Sequence, residues 1–193
     1  KQVTCRPIDL RGEPFALHQW PTSRHDDAPW IHMAHATGFC ARTYTRLLDA
    51  LDTSLPIAAL DQRGHGKSEA LADPKQLPNW HVFADDMAAL LTRQNRPVYL
   101  MGHSMGGIVS MMAAGRMPHL VRGVILLDPT LLPYWWRLPM AFLKHIGVGD
   151  HIPIAKIARR RRHLWADHEH MFEAYRKKSI FRSWQLDMLH DYI

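Results

Sequence analysis

"MGHSMGG", residues 101–107, sets a single serine between two glycines where an apolar stretch gives way to small residues. Ahead of it, "RPVYL" (96–100) carries the β-branched and aromatic residues of a strand, and behind it "GIVSMMAAGRM" (107–117) has helical composition. A serine on a sharp strand-to-helix turn takes strained backbone angles beneath closely packed neighbours. That explains glycine at 102 and 106, where a Cβ would clash. The hydroxyl then stands clear of the sheet, and the first amides of the following helix favour negative charge developing beside it. Acyl transfer needs such an environment. The plain alternative is a tight turn in which the glycines permit the bend and Ser104 caps the helix.

Working outward, strands and helices alternate. "PWIHMAHA" (29–36) reads as a buried strand followed by a helix over "RTYTRLLDALD" (42–52), and "LPIAALDQ" (55–62) as a second apolar strand. In "PNWHVFADDMAALLTRQ" (78–94), Phe83, Met87, Leu90 and Leu91 recur at one helical face. "RPVYLMGH" (96–103) and "RGVILLDP" (122–129) are two further core strands, and "VTCRPIDL" (3–10) with "EPFALHQW" (13–20) are expected as antiparallel strands at the sheet margin. Such alternation predicts an α/β fold with a mostly parallel sheet flanked by helices, and functional groups at the carboxyl ends of its strands.

The chain divides at Pro129. Residues 1–129 are expected to form the α/β core and 130–193, with proline and glycine breaks, helical spacing and many aromatics, a helical lid over the mouth that holds Ser104. Trp135, Trp136, Phe142, Trp165 and Phe172 are candidates to line an apolar pocket, helix packing being the alternative role of each.

With 193 residues the chain can bury a sizeable core. Two cysteines, Cys5 and Cys40, give no disulfide framework, and no signal peptide or long apolar span is evident, so the expectation is a cytoplasmic protein with no integral membrane segment. The net charge of +6 owes much to "ARRRRHLW" (158–165); four consecutive arginines spread around a helix, so a solvated surface is expected and no nucleic-acid partner. An anion-binding module built on that run is the minor alternative. "DHEH" (167–170) lacks the spacing that puts two imidazoles on one helical face and reads as exposed polar helix. No metal or cofactor is expected.

Three motifs fall in order, each at the carboxyl end of a strand: "HATGF" (35–39), "DQRGHGKS" (61–68) and "GHSMGG" (102–107). Together they resemble the α/β-hydrolase superfamily, in its lidded serine hydrolase and esterase branch, over at least residues 15–129. The resemblance implies that Ser104, on a nucleophile elbow, is the catalytic nucleophile and that the Met105 amide is one half of the oxyanion hole. Thr37, in "His35-Ala36-Thr37", is nominated for the other half; Ala36 stands where the family usually has glycine, so Phe39 is the second candidate. Arg63, Gly64 and His65 are implied to be structural parts of their loop, and His35 and His103 to order the turns they flank. The implied reaction is cleavage of an ester, thioester or related acyl compound, with a hydrophobic small-molecule substrate. The serine at the elbow argues against dehalogenase chemistry, which uses a carboxylate there.

A serine hydroxyl needs an adjacent base oriented by a carboxylate, and in family order these follow it as acid, then histidine. They are expected after two further strands, which 130–193 does not supply, so the sequence reads as C-terminally truncated and inactive by itself. The strand at 122–129 would then be an unpaired apolar edge that hinders folding. Asp128 is an acid candidate within the chain. For the base only His145, His151, His163, His168, His170 and His190 remain, none within a motif. A relative that keeps the pocket and binds ligand without chemistry is the competing class.

Overall fold

The fold is that of a computed structural model that describes residues 2–22, 28–73, 77, 79–131, 135, 139 and 165–193. Among the described residues six strands form one sheet: β1 (Thr4–Leu10), β2 (Glu13–Trp20), β3 (Trp30–Ala34), β4 (Ile57–Asp61), β5 (Val98–His103) and β6 (Val121–Leu127), in the order β1-β2-β4-β3-β5-β6. The pairs β4/β3, β3/β5 and β5/β6 are parallel, whereas β1/β2 and β2/β4 are antiparallel. The antiparallel margin is thus where the sequence puts it, closed by a two-residue turn in which Arg11 and Gly12 both take positive φ.

Both faces of the central strands are apolar, in alternation. Trp30, Leu60, Val98 and Leu100 enter one core with Phe83, Met87, Leu90 and Leu91 of α2 (His81–Gln94) and with Val109 and Ala113 of α3 (Met105–Arg116). Ile31, Met33, Ala59 and Met101 enter the opposite core with Ala41, Tyr44 and Leu48. The helix expected over 42–52 is shorter and begins differently: a 3-10 turn at Ala41–Tyr44 leads into α1 (Thr45–Asp49). The Asp61 carboxylate explains the early start, because it accepts the Ala41 amide at 2.7 Å and fixes the first turn to the end of β4. Helix α2 starts at His81, after the 78–80 portion of the expected span, and stops at Asn95, whose left-handed backbone returns its amide to Leu91.

β6 stands at the sheet edge; among the described residues it pairs only with β5, and Ile125 and Leu126 are 45% and 37% exposed. No helix among the described residues is long and apolar enough to cross a membrane.

The chain groups into two compact units, Lys1–Thr130 with Leu186–Tyr192, and Leu131–Gln185 with Ile193. Helix α5 (Leu186–Tyr192) groups with the first unit. Arg46 explains this by pairing with Asp187 at 3.0 Å and Asp191 at 2.9 Å, while Tyr192 packs edge-on to Phe39 at 4.7 Å.

In the second unit, α4 (His168–Arg176) is capped by Asp167, whose carboxylate accepts the His170 amide. His168 and His170 are exposed, as expected for a polar helix. Phe172 is buried, and Trp165 packs against Tyr175, a packing role where pocket lining was the other option. Trp135 is exposed. Trp136, Phe142, His145, His151, His163 and the arginine run lie outside the described residues.

Candidate active site

The parallel strands end level with one another. Ala34 stands opposite Leu60 and Gly102, and Gly102 opposite Leu126, so the loops after β3, β4, β5 and β6 open onto one rim. Ser104 sits there, between β5 and α3, at φ 51° and ψ −116°, a combination that residues with a Cβ rarely adopt. Its amide donates to the Leu127 carbonyl at 3.0 Å, which ties the turn to β6. The two glycines are explained by contact: a Cβ on Gly102 would strike the Gly106 carbonyl, and one on Gly106 would strike the carbonyl of Ala34. The capping alternative fails, because the Ser104 side chain makes no cap hydrogen bond to α3. Its Oγ instead lies 3.0 Å from Thr130 Oγ1.

The loop after β3 approaches the first turn of α3. Thr37 Oγ1 donates to Met105 Sδ at 3.1 Å, so the two residues nominated for the oxyanion hole touch. The Phe39 amide, the second candidate, donates to the Ala36 carbonyl at 3.1 Å. His35 holds that same carbonyl through Nδ1 at 2.8 Å, while its Nε2 accepts the Gln62 amide at 2.9 Å and its own carbonyl accepts Gln62 Nε2 at 2.7 Å. The Ala36 amide donates to the Tyr44 hydroxyl at 3.0 Å, and that hydroxyl lies 2.8 Å from His103 Nδ1.

Electrostatics separate structural from available histidines. Burial, with help from neighbouring His65, lowers His35 to about 4, and burial, with help from His35, lowers His32 to about 3. Both rings are neutral and committed to backbone amides, His32 Nε2 to that of Leu60. Burial also lowers His103, and the charge of exposed Asp128 works against this. His65 is half-buried and bonds the Arg63 carbonyl through Nδ1. At Asp61, burial pushes the carboxyl up, but hydrogen bonds from His18 and from the Lys67 and Ala41 amides outweigh it and leave it below the usual carboxylate range.

These shifts predict acid lability. The unfolded chain protonates its histidines near pH 6.5, whereas the folded chain resists until pH 3–4 at His32 and His35, so the contribution is whole above about pH 6.5 and is lost as pH falls toward 4. At pH 5 the loss is roughly 2 kcal/mol for each ring. Urea midpoints at pH 7 and pH 5 check it; equal midpoints would contradict the neutral assignment.

The family model described as serine aminopeptidase, S33, matches residues 28–187. The chain belongs to this family of α/β-hydrolases. It is 32% identical over 131 residues to a monoglyceride lipase of Rattus norvegicus and 35% identical over 117 residues to lipase LipV of Mycobacterium tuberculosis. These alignments take in 65% and 58% of the chain and 42% of each relative, so the chain spans about two-fifths of the length of these relatives. The crystal structure of E-2-(acetamidomethylene)succinate hydrolase superposes with a TM-score of 0.71 over 99% of the chain and 63% of that protein, at 23% identity, a likeness of fold.

In this S33-family chain the sequence reading passed over Asp61, Tyr44 and Thr130. Each acts through a partner distant in sequence: Asp61 through His18 at 2.9 Å, Tyr44 through His103, Thr130 through Ser104. No local pattern marks such pairs.

Proposed function

We propose that the chain carries the nucleophile and oxyanion hole of a serine hydrolase that cleaves an ester, thioester or related acyl compound through an acyl-enzyme intermediate. The observation that carries the reading is Ser104 held at positive φ between β5 and α3, with both flanking glycines packed against backbone. A strained backbone kept in place by surrounding contacts is characteristic of functional turns. Ser104 Oγ attacks the acyl carbon and its proton passes to a general base; the leaving group departs with a proton, and water then releases the acyl group.

The developing oxyanion is assigned to the amides of Met105 and Thr37. Met105 opens α3, where the helix dipole adds to its N–H. Thr37 is preferred over Phe39 because the Phe39 amide is already spent on Ala36. A hydrophobic acyl substrate is favoured by lipases among the relatives. The cytoplasmic setting rests on Cys5 and Cys40 both being free.

One observation favours the competing reading of a non-catalytic ligand-binding relative: among the described residues, Ser104 Oγ bonds Thr130, not a histidine. Labelling of the full-length protein with a fluorophosphonate separates the two. Labelling that disappears in Ser104→Ala is expected; a folded, unlabelled protein would favour ligand binding.

A further inference from the structure

Resting on the serine hydrolase reading, we infer that Tyr44 is a positioning residue, its one hydroxyl locking the oxyanion loop to the nucleophile turn. The bond distances are 3.0 Å from the Ala36 amide and 2.8 Å to His103 Nδ1. An N–H can only donate, so the hydroxyl accepts from Ala36 and has its own proton free for His103 Nδ1. Each end of the bridge adjoins a reacting group: Ala36 precedes Thr37, and His103 precedes Ser104.

Peptide planarity converts these bonds into aim. The Thr37 N–H lies in the plane of the Ala36 carbonyl and points opposite to it. That carbonyl is gripped from two directions, by His35 Nδ1 and by the Phe39 amide. The preceding plane is pinned at both ends, its carbonyl by Gln62 and its N–H by Tyr44. Among the described residues, Tyr44 reaches the nucleophile turn by a hydrogen bond, to His103, whereas Phe39 meets the same ring edge-on at 5.7 Å. Tyr44 is well held for the task, being 7% exposed, packed against the rings of Phe39 and His103, and seated in the 3-10 turn that Asp61 anchors through Ala41. Oxyanion donors act only when aimed at where charge develops, and displacement by about 1 Å can cost about 10²-fold.

The test compares wild type, Tyr44→Phe, His103→Leu and the double variant in the full-length protein, with p-nitrophenyl butyrate as substrate. Two inhibitors are added: a trifluoromethyl ketone, whose serine hemiketal places an oxyanion in the hole, and the matching unreactive ether. Tyr44→Phe should lower kcat about 10- to 100-fold with KM nearly unchanged. Ketone affinity should fall by the same factor as kcat/KM, and ether affinity should hold within about twofold. The double variant should be no worse than the poorer single one, because both cut the same bridge.

A merely structural tyrosine would lower thermal stability and leave these ratios alone. Folded Tyr44→Phe with kcat within about twofold of wild type, or with both inhibitors weakened equally, would overturn the assignment. If Tyr44→Phe does not fold, His103→Leu decides by the same criteria. Wild type that neither hydrolyses the ester nor takes a fluorophosphonate overturns the serine hydrolase reading, and the positioning role with it. An active wild type with an unaffected Tyr44→Phe overturns the positioning role alone.

Discussion

Replacing Ser104 with alanine is expected to lower ester turnover of the full-length protein by about 10⁶-fold while the fold is retained. Among the described residues the Ser104 side chain makes one hydrogen bond, to Thr130, and it caps no amide of α3, so its removal strands no buried group there. The turn is held by backbone instead, through the Ser104 amide on Leu127 and the seating of Gly106 on Ala34. Ser104→Gly should be equally inactive yet more stable. At φ 51° the serine backbone carries strain of about 1–3 kcal/mol, which glycine relieves at an entropic cost of about 0.4–1 kcal/mol. The expected order of melting temperature is therefore Ser104→Gly above Ser104→Ala, with both below about 10⁻⁵ of wild-type activity. Residual turnover within tenfold of wild type in either variant would remove Ser104 from the chemistry.

Asp86→Ala should destabilise the protein by about 3–5 kcal/mol, the usual consequence of stranding a buried charge. Arg63 and Asp86 side chains are 6% and 4% exposed and meet in a forked pair, Nε to Oδ2 at 2.6 Å and Nη2 to Oδ1 at 2.9 Å. These bonds to Asp86, aided by Glu13, push the guanidinium further above its ordinary range. Without Asp86, Arg63 keeps Glu13 at 3.0 Å and the Leu71 carbonyl at 2.7 Å, which is too little to satisfy a guanidinium out of water. Arg11, which also reaches Asp86, loses its partner as well. The melting temperature should fall by about 10 °C or more. A fall below about 2 °C would mean that the loop after β4 is held by other contacts.

The nucleophile turn was legible because its evidence is local: glycine two positions either side of Ser104, a strand before and a helix after. The two strands "VTCRPIDL" and "EPFALHQW" were legible as an antiparallel pair at the sheet margin, and the pairing of β2 with β4 was not, because it joins segments some 40 residues apart by the positions of His18 and Ala59. The choice between Thr37 and Phe39 was not, because it turns on one backbone bond, Phe39 to Ala36, that residue type does not reveal. The contacts of α5 with the first unit were not legible, because its ion pairs come from Arg46, some 140 residues away by the positions of Arg46 and Asp187. The exposed, polar character of "DHEH" was readable, and the partners of Asp61 were not. His18 and the Ala41 amide reach it only once β2, β4 and the first 3-10 turn are assembled.

The dependence of the serine turn on Leu127 and Ala34 also sets its place in time. Leu127 is the last residue of β6, and the Ala34 carbonyl belongs to β3, so two parallel crossovers must close before Ser104 acquires its strained geometry. Contacts this far apart in sequence form late, because the entropy of closing the intervening loops is lost before they can form. In a refolding experiment, reactivity at Ser104 should therefore be the final signal to return, after helical dichroism and tryptophan burial, and it reports completion of the sheet rather than its beginning.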